Sequence, residues 1–287
     1  MDQTARHALR DAAARLEAAG IAAADARVDA DVLLRHVLGW DRATLLLRRD
    51  EPLRRQDADA FSTLVTRRLD RVPVAYLTGV REFYGRPFQV TPAVLIPRPE
   101  SELLVDLVLQ HADDGARRRV ADVCTGSGML AITLACERPG CRVVGTDVSR
   151  AALQVARGNV QDHVVAPRVV LVECDLLSAV GEGLDVIVAN PPYVPASEAD
   201  TLAPEVAVHE PGLALFGGDD GLAVIRRLLP EARRCLRPGG RFLMEFGAGQ
   251  RYDVVHLAAQ AGLDVTDVVA DLQGIPRVLC CRRPPLS

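Results

Sequence analysis

Along the first seventy residues apolar positions recur every three or four places, the period of a helix with one buried face. In Ala5–Ala19 the residues Ala5, Ala8, Leu9, Ala12, Leu16 and Ala19 share a face, and Gly20 supplies a stop. Val28–Leu38 repeats the pattern up to Gly39, and Asp57–Leu69 adds a helix with Phe61, Leu64, Val65 and Leu69 inward. Short helices on short loops predict a small antiparallel bundle. The texture changes at Pro73. From there to Pro99, prolines, glycines and aromatics alternate with β-branched residues, which predicts a hairpin or extended connector.

Beyond residue 100 the period switches back and forth. Helices are predicted at Glu102–Gln110, Met129–Glu137, Arg150–Asn159, Leu222–Leu236 and Tyr252–Ala261. Strands are predicted at Arg119–Val123, Cys141–Thr146, Val169–Cys174, Asp185–Ala189, Arg241–Phe246, Leu263–Val269 and Val278–Cys281. Such alternation describes an α/β domain whose mostly parallel, doubly wound sheet is covered on both faces. The expected division is 1–72 helical, 73–100 connector and 101–287 α/β, without internal repeats.

Composition narrows the function classes. The 287 residues are 49% hydrophobic and 25% charged, ordinary for a globular protein, with a net charge of -4. A mildly acidic chain lacks the basic field of a nucleic-acid binder, so no direct nucleic-acid partner is expected. All 34 basic residues other than histidine are arginine, which a bias in codon usage explains more simply than a phosphate-binding surface. The seven cysteines form no C-x-x-C pair and the six histidines show no ligand spacing, so reduced thiols and no metal are expected. The first residues carry charges throughout, and no apolar run reaches the roughly 18–20 residues that span a bilayer. A cytoplasmic monomer without a membrane partner is the expectation.

Two stretches carry chemistry. In A-D-V-C-T-G-S-G, residues 121–128, small residues follow a strand and open a helix, where free N–H groups meet a ligand. Asp147 ends the next strand, where an acid can bind the ribose hydroxyls of a nucleoside cofactor. The competing roles are a tight packing turn for Gly126 and Gly128 and a helix cap for Asp147. Asp175 either accepts a bond from an adenine amino group, with Leu176 against its ring, or is a solvated loop acid. The second stretch is N-P-P-Y, residues 190–193, at the end of D-V-I-V-A. A residue before proline is held extended, and Pro191 and Pro192 have no N–H to donate. The Asn190 side-chain oxygen and the Pro191 carbonyl then form a rigid acceptor pair, with Tyr193 as a flat face beside it. That arrangement suits a planar NH2 group, whose delocalised lone pair makes it a poor nucleophile in need of orientation and a good electrophile.

These motifs together resemble the class I S-adenosylmethionine-dependent methyltransferases that modify planar nitrogens. Y-L-T-G-V-R-E-F-Y-G-R-P-F-Q-V (76–90), V-L-I-P-R-P-E-S-E (94–102), N-P-P-Y and E-P-G-L-A-L-F-G-G-D-D-G-L (210–222) narrow this to the release factor glutamine methyltransferases, the PrmC/HemK family. R-P-G-G-R-F-L-M-E-F-G (237–247) and D-L-Q-G-I-P-R (271–277) also fit. The resemblance runs from about residue 70 to the end, the helical part agreeing in kind.

It implies a seven-stranded class I sheet, S-adenosyl-L-methionine as cofactor, and N5-methylation of the glutamine amide in the G-G-Q motif of class 1 peptide chain release factors. By position it assigns Cys124, Thr125, Gly126, Ser127, Gly128, Asp147, Asp175, Leu176 and Asn190 to the cofactor. Asn190, Pro191, Pro192 and Tyr193 fall to the glutamine, with Asn190, Pro191 and Tyr193 catalytic, Ile96–Glu100 bordering the site and residues 1–72 recognising the substrate. The family commonly has glycine at Cys124 and threonine at Ser101. The alternatives are a ribosomal-protein glutamine or DNA adenine methyltransferase, or a non-catalytic module that binds the release factor or cofactor.

Overall fold

The computed structural model describes residues 4–110 and 117–285. They gather into two compact units, Met1–Val80 with Ala203–His209, and Arg81–Leu202 with Glu210–Ser287.

The first unit is helical: α1 (Ala5–Ala18), α2 (Ala23–Leu38), α3 (Arg42–Arg48), α4 (Arg55–Leu69) and α5 (Val74–Thr78). Ala5, Ala8, Ala12 and Leu16 of α1 meet Leu33 and Leu34 of α2 and Phe61 and Val65 of α4 in one core. The predicted periodicity put the same side chains inward. Among the described residues three helices of this unit were not foreseen: α3, α5 and the one within Ala203–His209. Asp41 caps α3, accepting from Thr44 N at 2.7 Å, and α5 lies between Pro73 at its N-cap and Gly79 at φ 75°. Both are too short, at 7 and 5 residues, to display a period. The segment Ala203–His209 joins this unit late in the chain. Arg71 donates to Glu205 at 3.1 Å, and His209 Nε2 donates to the Asp70 carbonyl at 2.9 Å.

The second unit begins with a hairpin, β1 (Val80–Phe83) and β2 (Arg86–Gln89), turning through Tyr84 and Gly85, both at positive φ. The pair of positive φ angles matches the twist of the strands it joins. There follow α6 (Glu102–Gln110), β3 (Arg118–Val123), α7 (Met129–Glu137), β4 (Cys141–Asp147), α8 (Arg150–Asp162), β5 (Val169–Glu173) and β6 (Leu184–Ala189). After α9 (Pro204–His209) and α10 (Gly212–Leu215) come α11 (Ala223–Cys235), β7 (Leu236–Glu245), α12 (Arg251–Gln260), β8 (Asp264–Ala270) and β9 (Pro276–Arg282).

The seven-stranded sheet has the order β5-β4-β3-β6-β7-β9-β8, with β9 antiparallel to both its neighbours. Side chains alternate across it. Val120, Val186 and Val188 face the core with α6 and α7, while Ala121, Val123, Ile187 and Ala189 face the core with α11 and α12. Being covered on both faces, β6 reads as a continuous apolar run rather than an alternating one. From β3 the chain proceeds to β4 and β5 on one side, then returns to β6 on the other. The reversal opens a crevice above the carboxyl ends of β3 and β6, the place where open parallel sheets bind ligands.

Candidate active site

The turn after β3 is built by its backbone. Cys124 and Gly126 lie at φ 60° and 54°, and Gly128 caps α7 at φ 82°. Thr125 N donates to the Thr146 carbonyl at 2.9 Å, and Gly128 N to the Thr125 carbonyl at 2.8 Å. Asp147, at the end of β4, accepts from Gly126 N at 2.9 Å and from Ser149 N at 2.8 Å. Burial pushes its carboxyl up, and those backbone N–H groups pull it back. Beneath the turn Asp122 is wholly buried, its Oδ2 accepting from Thr125 Oγ1 at 2.5 Å and from Ala131 N at 3.0 Å. Burial raises that carboxyl to about 7.

Over the turn lies a cavity of about 320 Å³, within the range of small-molecule sites. Of the residues singled out from sequence, Cys124, Thr125, Gly126, Ser127, Asp147, Asp175, Leu176, Asn190 and Pro192 line it. Gly128, Pro191 and Tyr193 do not. A Cβ on Gly128 would sit 3.0 Å from Ile132 Cδ1 and 3.3 Å from Ala156 Cβ, so this glycine lets α7 and α8 pack closely. Asp175 is paired with Arg227, which also lines the cavity. From the connector the wall is Ala93, Val94 and Leu95, just before the stretch 96–100 expected there. That stretch is anchored by Glu210, which accepts from Ile96 N at 3.0 Å and from Arg98 Nη2 at 2.5 Å.

At the end of β6, Asn190 Nδ2 donates to Ser101 Oγ at 3.0 Å, and Ser101 Oγ donates to Glu245 Oε2 at 2.6 Å. Tyr193 OH donates to Glu245 Oε1 at 3.0 Å. Glu245 ends β7 and is 1% exposed. Burial pushes its carboxyl up, against the bonds from Ser101 and Tyr193. Burial, and then the Glu245 charge, pushes the Tyr193 phenol up too. The ring packs with the core beside α11 and α12, its hydroxyl turned inward, rather than forming a face of the cavity.

The segment G-G-D-D-G holds the following backbone. Val194 N donates to the Leu215 carbonyl and Gly217 N to the Val194 carbonyl, each at 2.9 Å, while Gln250 Nε2 donates to the Tyr193 carbonyl at 2.9 Å. A Cβ on Gly217 would stand 2.6 Å from Pro192 O, and one on Gly221 only 2.2 Å from Tyr193 O. These glycines are required by close approach to N-P-P-Y, beyond forming a turn before α11. Sequence reasoning had marked Ser101 only as a departure from the family's threonine and had not singled out Glu245, Gln250 or Asp122. The available signal was a lone acid or amide ending an apolar strand, as in F-L-M-E-F, which needs a partner when buried.

The sheet order and the cavity above its switch point define a class I methyltransferase fold. Solved structures agree: a methyltransferase from Pyrococcus furiosus superposes with TM-score 0.53 at 19% identity, covering 70% of this chain and 91% of that one. The T. Thermophilus 16S rRNA N2 G1207 methyltransferase, in complex with AdoMet and guanosine, gives 0.53 at 21% identity, over 71% and 49%. A family model described as the PrmC N-terminal domain matches residues 7–79, and one for the methyltransferase small domain matches 100–218. The release factor glutamine methyltransferase of Koribacter versatilis is 42% identical over 285 residues, 98% of this chain and 99% of the relative. That of Cereibacter sphaeroides is 44% identical over 280 residues, covering 98% and 99%. The chain belongs to the release factor glutamine methyltransferase family.

Proposed function

We infer that the chain transfers a methyl group from S-adenosylmethionine to the side-chain amide nitrogen of a glutamine in a peptide chain release factor. The observation that carries this reading is that Asn190 lines the same cavity as Asp147 and the turn after β3. The residues present fit the cofactor. Asp147 offers a carboxylate to ribose hydroxyls, Leu176 an apolar surface to a base, and the turn a backbone that a ligand can approach closely. When bound, the cofactor supplies an electrophilic methyl group on a sulfonium.

The chain's own part is orientation. Asn190 Oδ1 accepts one N–H group of a planar amide and favours positive charge on its nitrogen, and we assign the second N–H to the carbonyl of Pro191, the next residue, which is not itself part of the cavity wall. The prolines present no donor that would compete. No strong base is needed, since the amide proton becomes acidic only as the new bond forms. Tyr193 contributes from below, through Glu245, and Asp175 keeps its pairing with Arg227.

Within the family's substrate class we assign the glutamine of G-G-Q in class 1 release factors, with residues 1–72 recognising the protein and residues 101–287 performing the transfer. The enzyme acts as a cytoplasmic monomer, where its substrate works. Among the described residues no helix is long and apolar enough to cross a membrane. The test offers labelled S-adenosylmethionine with release factor, ribosomal protein and DNA in parallel. Label is expected in the release factor alone and absent when the G-G-Q glutamine is replaced; label only in DNA overturns the reading. Asn190→Ala is expected to remove most turnover with cofactor binding kept, and a variant as active as the parent refutes its role.

A further inference from the structure

Resting on that reading, the hydrogen-bond chain behind Asn190 carries more than support. When ionised, Glu245 can only accept, and it then receives a proton from each of its neighbours, Ser101 and Tyr193. A serine hydroxyl has one proton. With it directed to Glu245 at 2.6 Å, the Ser101 oxygen can meet Asn190 only as an acceptor. The group facing it at 3.0 Å must therefore be the NH2 of Asn190, and the amide oxygen is turned away from Ser101. Rotating the amide by half a turn would set two acceptors against each other. Among the described residues no group donates to Asn190 Oδ1, which stays available to a ligand of the cavity that Asn190 lines.

We propose that Ser101 and Glu245 are positioning residues for the transfer: the carboxylate orients the hydroxyl, the hydroxyl orients the Asn190 amide, and Oδ1 is thereby presented to the substrate NH2. The wrong face of Asn190 would offer NH2 to NH2. Neither residue touches the substrate, and both act through Asn190. Around Glu245 the charged and titratable groups are Tyr193, Arg277 and Glu100, with the Ser101 hydroxyl beside them. Protonating Glu245 gives it a donor of its own, which frees the Ser101 proton to face Asn190 and removes the preference.

The test measures methyl transfer to release factor by the parent, Ser101→Ala, Ser101→Thr, Asn190→Ala and the double variant, with cofactor affinity by calorimetry and thermal melting alongside. Ser101→Ala is expected to lower kcat about tenfold while leaving cofactor Kd within about twofold, the scale of one lost orienting bond at a reacting group. Threonine keeps the hydroxyl and should restore kcat. The double variant should be no slower than Asn190→Ala, because Ser101 has nothing left to orient. Parental kcat in Ser101→Ala, or a double variant slower by the full factor of each single change, overturns the proposal. Should Ser101→Ala not fold, Glu245→Gln decides: its NH2 is a permanent donor, as the protonated carboxyl would be, so kcat should fall about tenfold at neutral pH with cofactor Kd kept, and parental kcat at neutral pH overturns the proposal. If the parent puts no label into release factor, the functional reading fails instead; if it does and Asn190→Ala is inactive, only the positioning role is in question.

Discussion

Replacing Asp122 with asparagine should stabilise the protein in a pH-dependent way. Asp122 is 0% exposed, one of its oxygens has no hydrogen-bond partner, and the nearby Asp147 charge opposes its ionisation. Its carboxyl is raised from 3.8 to about 7, chiefly by burial. Folded protein thus holds this proton more tightly than unfolded chain. The contribution is fully present below about pH 4 and is lost as pH rises through about 7. A shift of roughly three units at about 1.4 kcal/mol each sets the scale at about 4 kcal/mol. Asparagine does not ionise and keeps an oxygen for Thr125 Oγ1 and Ala131 N. The assay is urea unfolding of parent and variant at pH 4, 5, 6, 7 and 8, taking the difference at each pH so that other titrating groups cancel. The variant should gain on the parent by about 1 kcal/mol per pH unit between pH 5 and 7, and more slowly beyond. A difference that does not change with pH refutes the reasoning.

Asp147→Ala should weaken cofactor affinity by roughly 10- to 100-fold, the value of charge-assisted hydrogen bonds, and unchanged binding by calorimetry would remove it from the site. Gly221→Ala places a Cβ 2.2 Å from Tyr193 O at a φ of 75°, so methyl transfer should fall at least about tenfold while cofactor binding survives. Parental rates in that variant would show that N-P-P-Y tolerates displacement. Cys124→Gly relieves a side chain at φ 60°, worth roughly 1–2 kcal/mol, and adds about 0.4–1 kcal/mol of unfolded-chain freedom. A net gain of up to about 1.6 kcal/mol is expected in denaturant melts, and a marked loss would mean that thiol packing outweighs backbone strain.

The α/β elements could be read from sequence because their length made their period visible. Met129–Glu137 has the predicted ends, and β6 was evident as an apolar run too short for a helix. The short helices α3 and α5 escaped because a cap or a proline, rather than a period, defines them. Strand β7 begins at Leu236 and includes R-P-G-G, which reads locally as a turn. Its first residue pairs with Leu184 across an irregular register, a long-range contact that overrides the local preference.

The candidate site divides along the same line. Strand order alone brings the turn after β3, Asp147 and Asn190 to one end of the sheet, since residues that end adjacent parallel strands must share an edge. What orients Asn190 depends on pairings that sequence does not encode locally. Ser101 and Glu245 are 144 residues apart, and Tyr193 and Glu245 are 52 apart. From sequence Tyr193 was a flat face, and Gly217, Gly218 and Gly221 were only part of a stretch that carried the resemblance. In the fold the phenol is one of two donors that keep a buried carboxylate an acceptor, and the glycines let a second backbone press on the first. In the proposed function N-P-P-Y supplies the atoms that read a planar nitrogen, while the proposed positioning sets the direction of its amide before α6 and at the end of β7. A change at either place should alter turnover without touching any residue of the motif.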